Sequence, residues 1–217
     1  MRSLPRLALA GVVLALAGCG GSSSNTSPGA ESPCADVAKP APQAPAKLAP
    51  PAESLDPAKR WELRFETSCG TFVVLLQPRT SPHATASLVA LARRGFFDGT
   101  IFHRIAPGFV IQGGDPTQSG DGGPGYSTVD RPRVDTSYVE GTVAMAKTGA
   151  EPRGTAGSQF FVMTADAPTL QPDYAVVGRV VSGIAVVRLI GTFGDPTDPL
   201  GTPTKIVVIR RVTVVTQ

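Results

Sequence analysis

Phe102–Asp115 reads FHRIAPGFVIQGGD, and Gly157–Thr164 reads GSQFFVMT. Both stretches set aromatic rings beside single long polar side chains. If FVIQ is a strand, alternation sends Phe109 and Ile111 to one face and Val110 and Gln112 to the other. A twist or bulge near Gly113–Gly114 is then needed to bring Phe109 and Gln112 into one cleft. Taken singly, a phenylalanine is a core residue and Arg104 is an ion-pair partner. Two readings stand: core phenylalanines with Arg104 as a structural ion-pair partner, or a cleft shared by Phe109 and Gln112.

Outward from these strings the chain reads as mostly β. WELRFET alternates Trp61, Leu63 and Phe65 with Glu62, Arg64 and Glu66, a half-buried strand. Cys69–Gly70 offers a turn, and TFVVLLQ is a second strand. SPHATASLVALARRG is the clearest helix: Ser81 is the expected cap, Pro82 sits at the first helical position, and Gly95 ends it. Leu88, Leu91 and Ala92 fall on one face of that helix. The runs IFHRI, FVIQ, TVAMA, SQFFVMT and YAVVGRVV follow, then a short helix over Gly183–Ile190. KIVVIRRVTVV closes the chain with β-branched residues. About eight strands and two helices predict a closed β-barrel, because closure removes exposed edges.

Composition narrows the function. Of 217 residues 41% are apolar and 17% charged, enough for one domain with a core plus appendages. The net charge is +3; without Arg2 and Arg6 it is +1, 18 Lys and Arg against 17 Asp and Glu. That balance argues against nucleic-acid binding. With two His and three Cys a zinc site is not expected. The Gly-rich run 113–125 lacks the Lys-Ser/Thr of a phosphate loop, and Asp115 and Asp121 lack calcium-loop spacing, so a surface loop is expected. There is no G-x-S-x-G, and Cys69 has no evident His partner, since His83 falls on the helix. No metal and no cofactor are expected.

The first residues read as an address. Arg2 and Arg6 precede the twelve apolar or small residues Leu7–Gly18. Twelve helical residues span about 18 Å, short of a roughly 30 Å hydrocarbon core, so a secretory signal is the stronger reading than a membrane span. The string L-A-G-C ending at Cys19 resembles the lipobox of bacterial lipoproteins. The resemblance implies a signal peptide over 1–18 and a lipid on Cys19; the alternative is an ordinary signal with a chance cysteine. GGSSSNTS then makes a flexible spacer, and residues 28–57 hold eight Pro, eight Ala and no aromatic residue. Such a segment cannot fold alone, so 19–59 is expected to be a semi-rigid tether and 60–217 the folded domain. With Cys19 lipidated, Cys34 and Cys69 remain. In an exported protein a disulfide between them is expected, two free thiols being the alternative.

F-H-R-x-x-P-G-F-x-x-Q-G-G-D followed by G-S-Q-F-F resembles the cyclophilin family of peptidyl-prolyl isomerases, over about Trp61–Gln217. The resemblance implies an eight-stranded antiparallel barrel capped by two helices, and a groove on its outside for an extended proline-containing segment. By motif position Arg104 matches the catalytic arginine and Gln112 the glutamine that orients it. Phe109, Phe161 and Leu170 match the apolar walls around the proline ring. Val110 stands where many members have Met, and His103 and Gln159 match further groove positions. Ala146 matches the alanine whose neighbouring backbone grips the substrate, and Tyr174 stands where many members have His. Lys147 replaces a usual Asn, and Thr169 replaces the Trp linked to cyclosporin binding. The stretch 149–156 differs in length and sequence from the common form.

The resulting expectation is a monomeric, lipid-anchored, extracytoplasmic isomerase acting on proline-containing segments of exported proteins. The alternative is a module that binds such segments with little turnover. A hydrolase or lipid-handling role has no motif behind it.

Overall fold

The computed structural model describes residues Cys34–Gln217; the expected signal peptide, Cys19 and the Gly/Ser spacer lie outside the described residues. β1 (Trp61–Thr67) buries Trp61, Leu63, Phe65 and Thr67 in strict alternation and turns into β2 (Gly70–Leu76). The tight turn needs Gly70, at φ +118°. Helix α1 (Pro82–Arg93) follows, with Leu88, Leu91 and Ala92 buried. Gly95 ends it at φ +67°, its N–H donating to Ala92 O while Phe96 N–H donates to Leu91 O. This paired closure satisfies the last carbonyls of the helix.

The remaining elements are short. They are β3 (Thr100–Ile101), β4 (Arg104–Ala106), β5 (Val110–Gly113), β6 (Thr128–Val129), β7 (Thr142–Met145), β8 (Thr155–Ala156) and β9 (Phe160–Met163). β10 (Val176–Ser182), α2 (Ile184–Gly191) and β11 (Val208–Thr216) complete the chain. Nine strands form one antiparallel sheet in the order β3-β11-β1-β2-β10-β7-β9-β5-β4, and β6 pairs with β8 in a separate ribbon.

The fold is the expected mainly-β curled antiparallel sheet with two helices, with one difference in closure. The sheet's two edges, β3 and β4, are consecutive in the chain and separated only by Phe102 and His103. The circuit is closed by that covalent link rather than by a ladder. The run IFHRI breaks there because Phe102 turns into the core and its N–H donates to Val207 O. Inside the curl Phe65 stacks on Phe72 at 4.8 Å, and Phe160 meets Phe97 and Phe102 edge-on.

Two expectations are corrected. Ser81 occupies the cap position of α1, but its hydroxyl donates to Val176 O. The helix end is satisfied from elsewhere, by buried Asp130, which accepts from Ala84 N–H at 2.7 Å and bonds His83 Nδ1 at 2.8 Å. The folded part also begins earlier than residue 60. From Cys34 the chain runs as a strap past the loop 116–125 and helix α1, joined to the β1–β2 turn by a Cys34–Cys69 disulfide. Ala46, Leu48 and Leu55 pack on the core. Trp61 Nε1 donates to Asp56 O, closing the strap's far end. A Pro/Ala segment cannot make its own core, but an extended chain of low entropy docks readily on a surface already formed.

Candidate active site

The site grows from the β4–β5 hairpin. Ala106-Pro107-Gly108-Phe109 makes its turn, with Phe109 N–H donating to Ala106 O at 3.1 Å and Gly108 at φ +67°. Pro at the second and Gly at the third position is the sequence such a turn needs. The ladder pairs Arg104 with Gln112, Ile105 with Ile111, and Ala106 with Val110. Ile105 and Ile111 go to the inner core, so Arg104 and Gln112 share the outer face. The next ladders pair Gln112 with Phe161 and Phe161 with Ala144. Register alone thus lays Arg104, Gln112, Phe161 and Ala144 in one row across four strands.

Phe109 joins this row by a different route from the one expected. The β5–β9 ladder continues without a bulge through Gly113, paired with Phe160. Phe109 lies in the turn before β5 begins, where alternation does not apply, and Thr164 N–H donates to its carbonyl.

These residues wall a pocket of about 250 Å³. Arg104, Phe109, Val110 and Gln112 come from the hairpin, Ala146 and Lys147 from the end of β7, and Phe161 from β9. Leu170 and Tyr174 close it from the segment after β9. Its floor is a second apolar cluster outside the sheet, built on Val110, Tyr138, Ala144, Phe161 and Met163. Tyr174 stands edge-on to Phe161 at 5.3 Å. Tyr138 fixes Tyr174: its hydroxyl accepts from Tyr174 N–H and donates to Tyr174 O. Burial pushes the Tyr138 phenol up, so it stays protonated. Lys147 Nζ lies 5.7 Å from the Tyr174 ring centre and donates to Thr148 O and Glu151 O.

Arg104 has no carboxylate within salt-bridge distance among the described residues; its Nε donates to Leu200 O at 3.1 Å. The ion-pair reading of Arg104 is therefore removed. Its charge stands at the edge of an apolar pocket, with donors to offer whatever enters.

Two expected residues lie beside the pocket rather than in its wall. Gln159 accepts from Gln112 Nε2 at 3.0 Å and lines an adjacent cavity of about 720 Å³. His103 is sunk between β3 and β4, and neither ring nitrogen has a hydrogen-bond partner among the described residues. Burial holds its imidazole below the usual histidine range, against the pull of the Asp115 carboxylate. Tyr138 and Leu200 were not read from sequence as site residues. Each acts through partners far along the chain, and neither carries a local signal. Among the described residues no three His, Cys, Asp or Glu side chains converge.

The arrangement suits a compact apolar ring held against aromatic walls, with a guanidinium beside it. A family model described as cyclophilin type peptidyl-prolyl cis-trans isomerase/CLD matches residues 62–214. The chain belongs to the cyclophilin family. Peptidyl-prolyl cis-trans isomerase-like 1 of Aspergillus oryzae is 39% identical over 134 residues, 60% of this chain and 81% of that protein. The mouse protein of the same name is 39% identical over 142 residues, 62% of this chain and 84% of its own. Among solved structures, a cyclophilin type isomerase of Cryptosporidium parvum aligns with TM-score 0.65 and 30% identity, over 72% of this chain and 98% of that one. A second structure of that protein, in the presence of the dipeptide Ala-Pro, aligns with TM-score 0.64 and 30% identity, over 71% of this chain and 98% of that one. This cyclophilin is thus a cis-trans isomerase by family, with the pocket on the outer face of its curled sheet.

Proposed function

We propose that the pocket isomerises X-Pro bonds in proline-containing segments, with Arg104 as the group that stabilises the twisted amide. The observation that carries this is a guanidinium with no carboxylate partner among the described residues, beside the apolar walls of a pocket of about 250 Å³. Amide resonance resists rotation by about 18–20 kcal/mol. In the twisted state the prolyl nitrogen regains its lone pair and accepts a hydrogen bond that neither planar form accepts as well. A charged donor aimed there binds the transition state selectively, an effect worth about 3–4 kcal/mol for a well-placed donor. Phe109, Val110, Phe161 and Leu170 hold the ring, and Gln112 orients Arg104. Ala146 N–H is already donated to Gln159 O. At that residue a substrate chain is left the carbonyl to bond. No covalent intermediate is needed.

In protein beginning at Gly20, Arg104→Ala should lower the catalysed cis-trans rate of a short X-Pro peptide about 10²-fold or more, read by NMR exchange. Weak peptide binding should persist because the apolar walls survive. Equal rates would remove Arg104 from the mechanism. A folded wild type without turnover would favour the second reading, a proline-segment binding module. The Lys147–Tyr174 contact at the rim favours that reading.

The location we propose is extracytoplasmic, with the protein held at the membrane by lipid on Cys19 and serving exported clients as a monomer. Support comes from the Arg2/Arg6, apolar and L-A-G-C pattern, and from the Cys34–Cys69 bond, which persists in oxidising compartments. Cys19→Ser should move the protein from the membrane pellet to the soluble fraction; unchanged partition would refute the anchor.

A further inference from the structure

The Gly-rich loop 116–125 lies beside the pocket and is gripped from two sides. Asp115 holds it from within. From outside, the strap bonds it at both ends. Gln43 N–H donates to Pro116 O at 2.9 Å and Leu48 N–H to Pro124 O at 2.8 Å. Between them Gln118 Nε2 donates back to Pro40 O at 3.0 Å. The fit is close: a side-chain carbon on Gly125 would lie 2.7 Å from Ala46 O.

The loop in turn presents two carbonyls to the site. Gln159 Nε2 donates to Gly120 O at 2.7 Å and to Gly122 O at 2.9 Å. A carbonyl can only accept, so these two dictate which way the Gln159 amide faces. Its Oε1 must then face Gln112, and it accepts from Gln112 Nε2 at 3.0 Å. With its NH2 engaged, Gln112 has its own Oε1 left to offer. Arg104, directly across the β4–β5 ladder, carries donors only. The order of bonds therefore ends in an acceptor on the arginine's neighbour.

We propose that the strap is a positioning element of the active site. By clamping loop 116–125 it fixes the Gly120 and Gly122 carbonyls. These set the direction of the Gln159–Gln112 amide pair, and so leave Gln112 Oε1 as the acceptor offered to Arg104, whose side-chain bond among the described residues is to Leu200 O. The proposal rests on the isomerase reading only for its effect on rate; the amide geometry stands apart from it. Gln43 and Leu48 grip the loop through backbone N–H groups, which proline deletes. Gln43 Nε2 also donates to Asp98 O, and Leu48 packs on the core. Gln43→Ala/Leu48→Ala, which keeps both N–H groups, therefore controls for the lost side chains and should leave the Gln112 and Gln159 NH2 signals as in wild type.

The test compares wild type with Gln43→Pro/Leu48→Pro, and with Ala41→Pro as a control whose N–H makes no bond among the described residues. Two quantities are read: kcat and KM for an X-Pro peptide, and NMR shifts and exchange of the Gln112 and Gln159 side-chain NH2 groups. The double variant should lose about fivefold or more in kcat, with KM within about twofold, since the apolar walls are untouched. Both NH2 groups should exchange faster, and Ala41→Pro should match wild type in both. Unchanged NH2 signals overturn the proposal even if kcat falls, because the strap then acts by another route. Changed signals with unchanged kcat overturn it as well. If the double variant does not fold, Gln118→Asn serves instead. It tolerates the left-handed backbone there, φ +59°, but is one methylene too short for Pro40 O. If wild type shows no turnover, the isomerase reading fails, and the NH2 signals alone decide the positioning.

Discussion

Asp115 is fully buried and accepts hydrogen bonds from the N–H and Oγ1 of Thr117, the Oγ of Ser119 and the N–H groups of Gly120 and Gly122. Only glycine fits at 122, where a side-chain carbon would lie 1.9 Å from Asp115 Oδ1. Burial alone pushes this carboxyl up. The bonds from Thr117 Oγ1 and from the N–H groups of Gly120, Thr117 and Gly122 outweigh it and hold the carboxyl below its ordinary 3.8. The unfolded chain, with an aspartate near 3.9, then binds the proton more tightly than the folded one. Stability from Asp115 is complete above about pH 5 and drains away as pH falls through the folded pKa. Asp115→Asn turns an NH2 toward two N–H groups and should cost about 1–3 kcal/mol near pH 7. Its urea-unfolding free energy should also fall less steeply below pH 4 than that of wild type. Parallel pH curves with no offset would show that Asp115 does not organise the loop.

At the scale of elements, what the sequence makes legible is what period and turn chemistry control locally. WELRFET alternates, Pro107-Gly108 turns, Gly95 stops a helix, and each element forms where those residues stand. The row Arg104–Gln112–Phe161 needed the pairing register as well, and only the family motif supplied it. The rest depends on partners that local patterns do not reveal. The cap of α1 is a carboxylate 46 residues downstream, positioned by the two-residue ribbon β6–β8, because Asp130 N–H donates to Gly154 O. Gly154 at φ +78° is demanded by that contact: a side-chain carbon there would meet Asp130 O at 2.3 Å. Ser81, read as a cap, donates to a sheet carbonyl instead, and the helix end it leaves is met by Asp130. The break in IFHRI has the same origin, a phenylalanine drawn into a core that only the folded sheet creates.

At the scale of the whole molecule the strap changes what counts as the domain. Composition reads residues 28–57 as tether because eight Pro, eight Ala and no aromatic residue offer too little apolar surface to bury, and that remains true of the segment alone. Its attachment instead uses backbone N–H groups, three small apolar contacts and two end anchors, the disulfide at Cys34 and the Trp61–Asp56 bond. Such weak contacts hold only if the chain is already confined near its track. The Cys34–Cys69 bond does this by closing a loop of 35 residues. In the chain-entropy model that removes about 4 kcal/mol of unfolded-state freedom. The double variant Cys34→Ser/Cys69→Ser should therefore melt roughly 8–16 °C lower, at roughly 2–4 °C per kcal/mol for a domain this size. Its strap should become sensitive to protease between residues 35 and 55 before the sheet unfolds. Unreduced wild-type protein should resist thiol alkylation at both positions. If both thiols alkylate in the native protein, or the double variant melts with wild type and keeps its strap protected, the strap is held by its surface contacts alone and the cross-link is not what retains it.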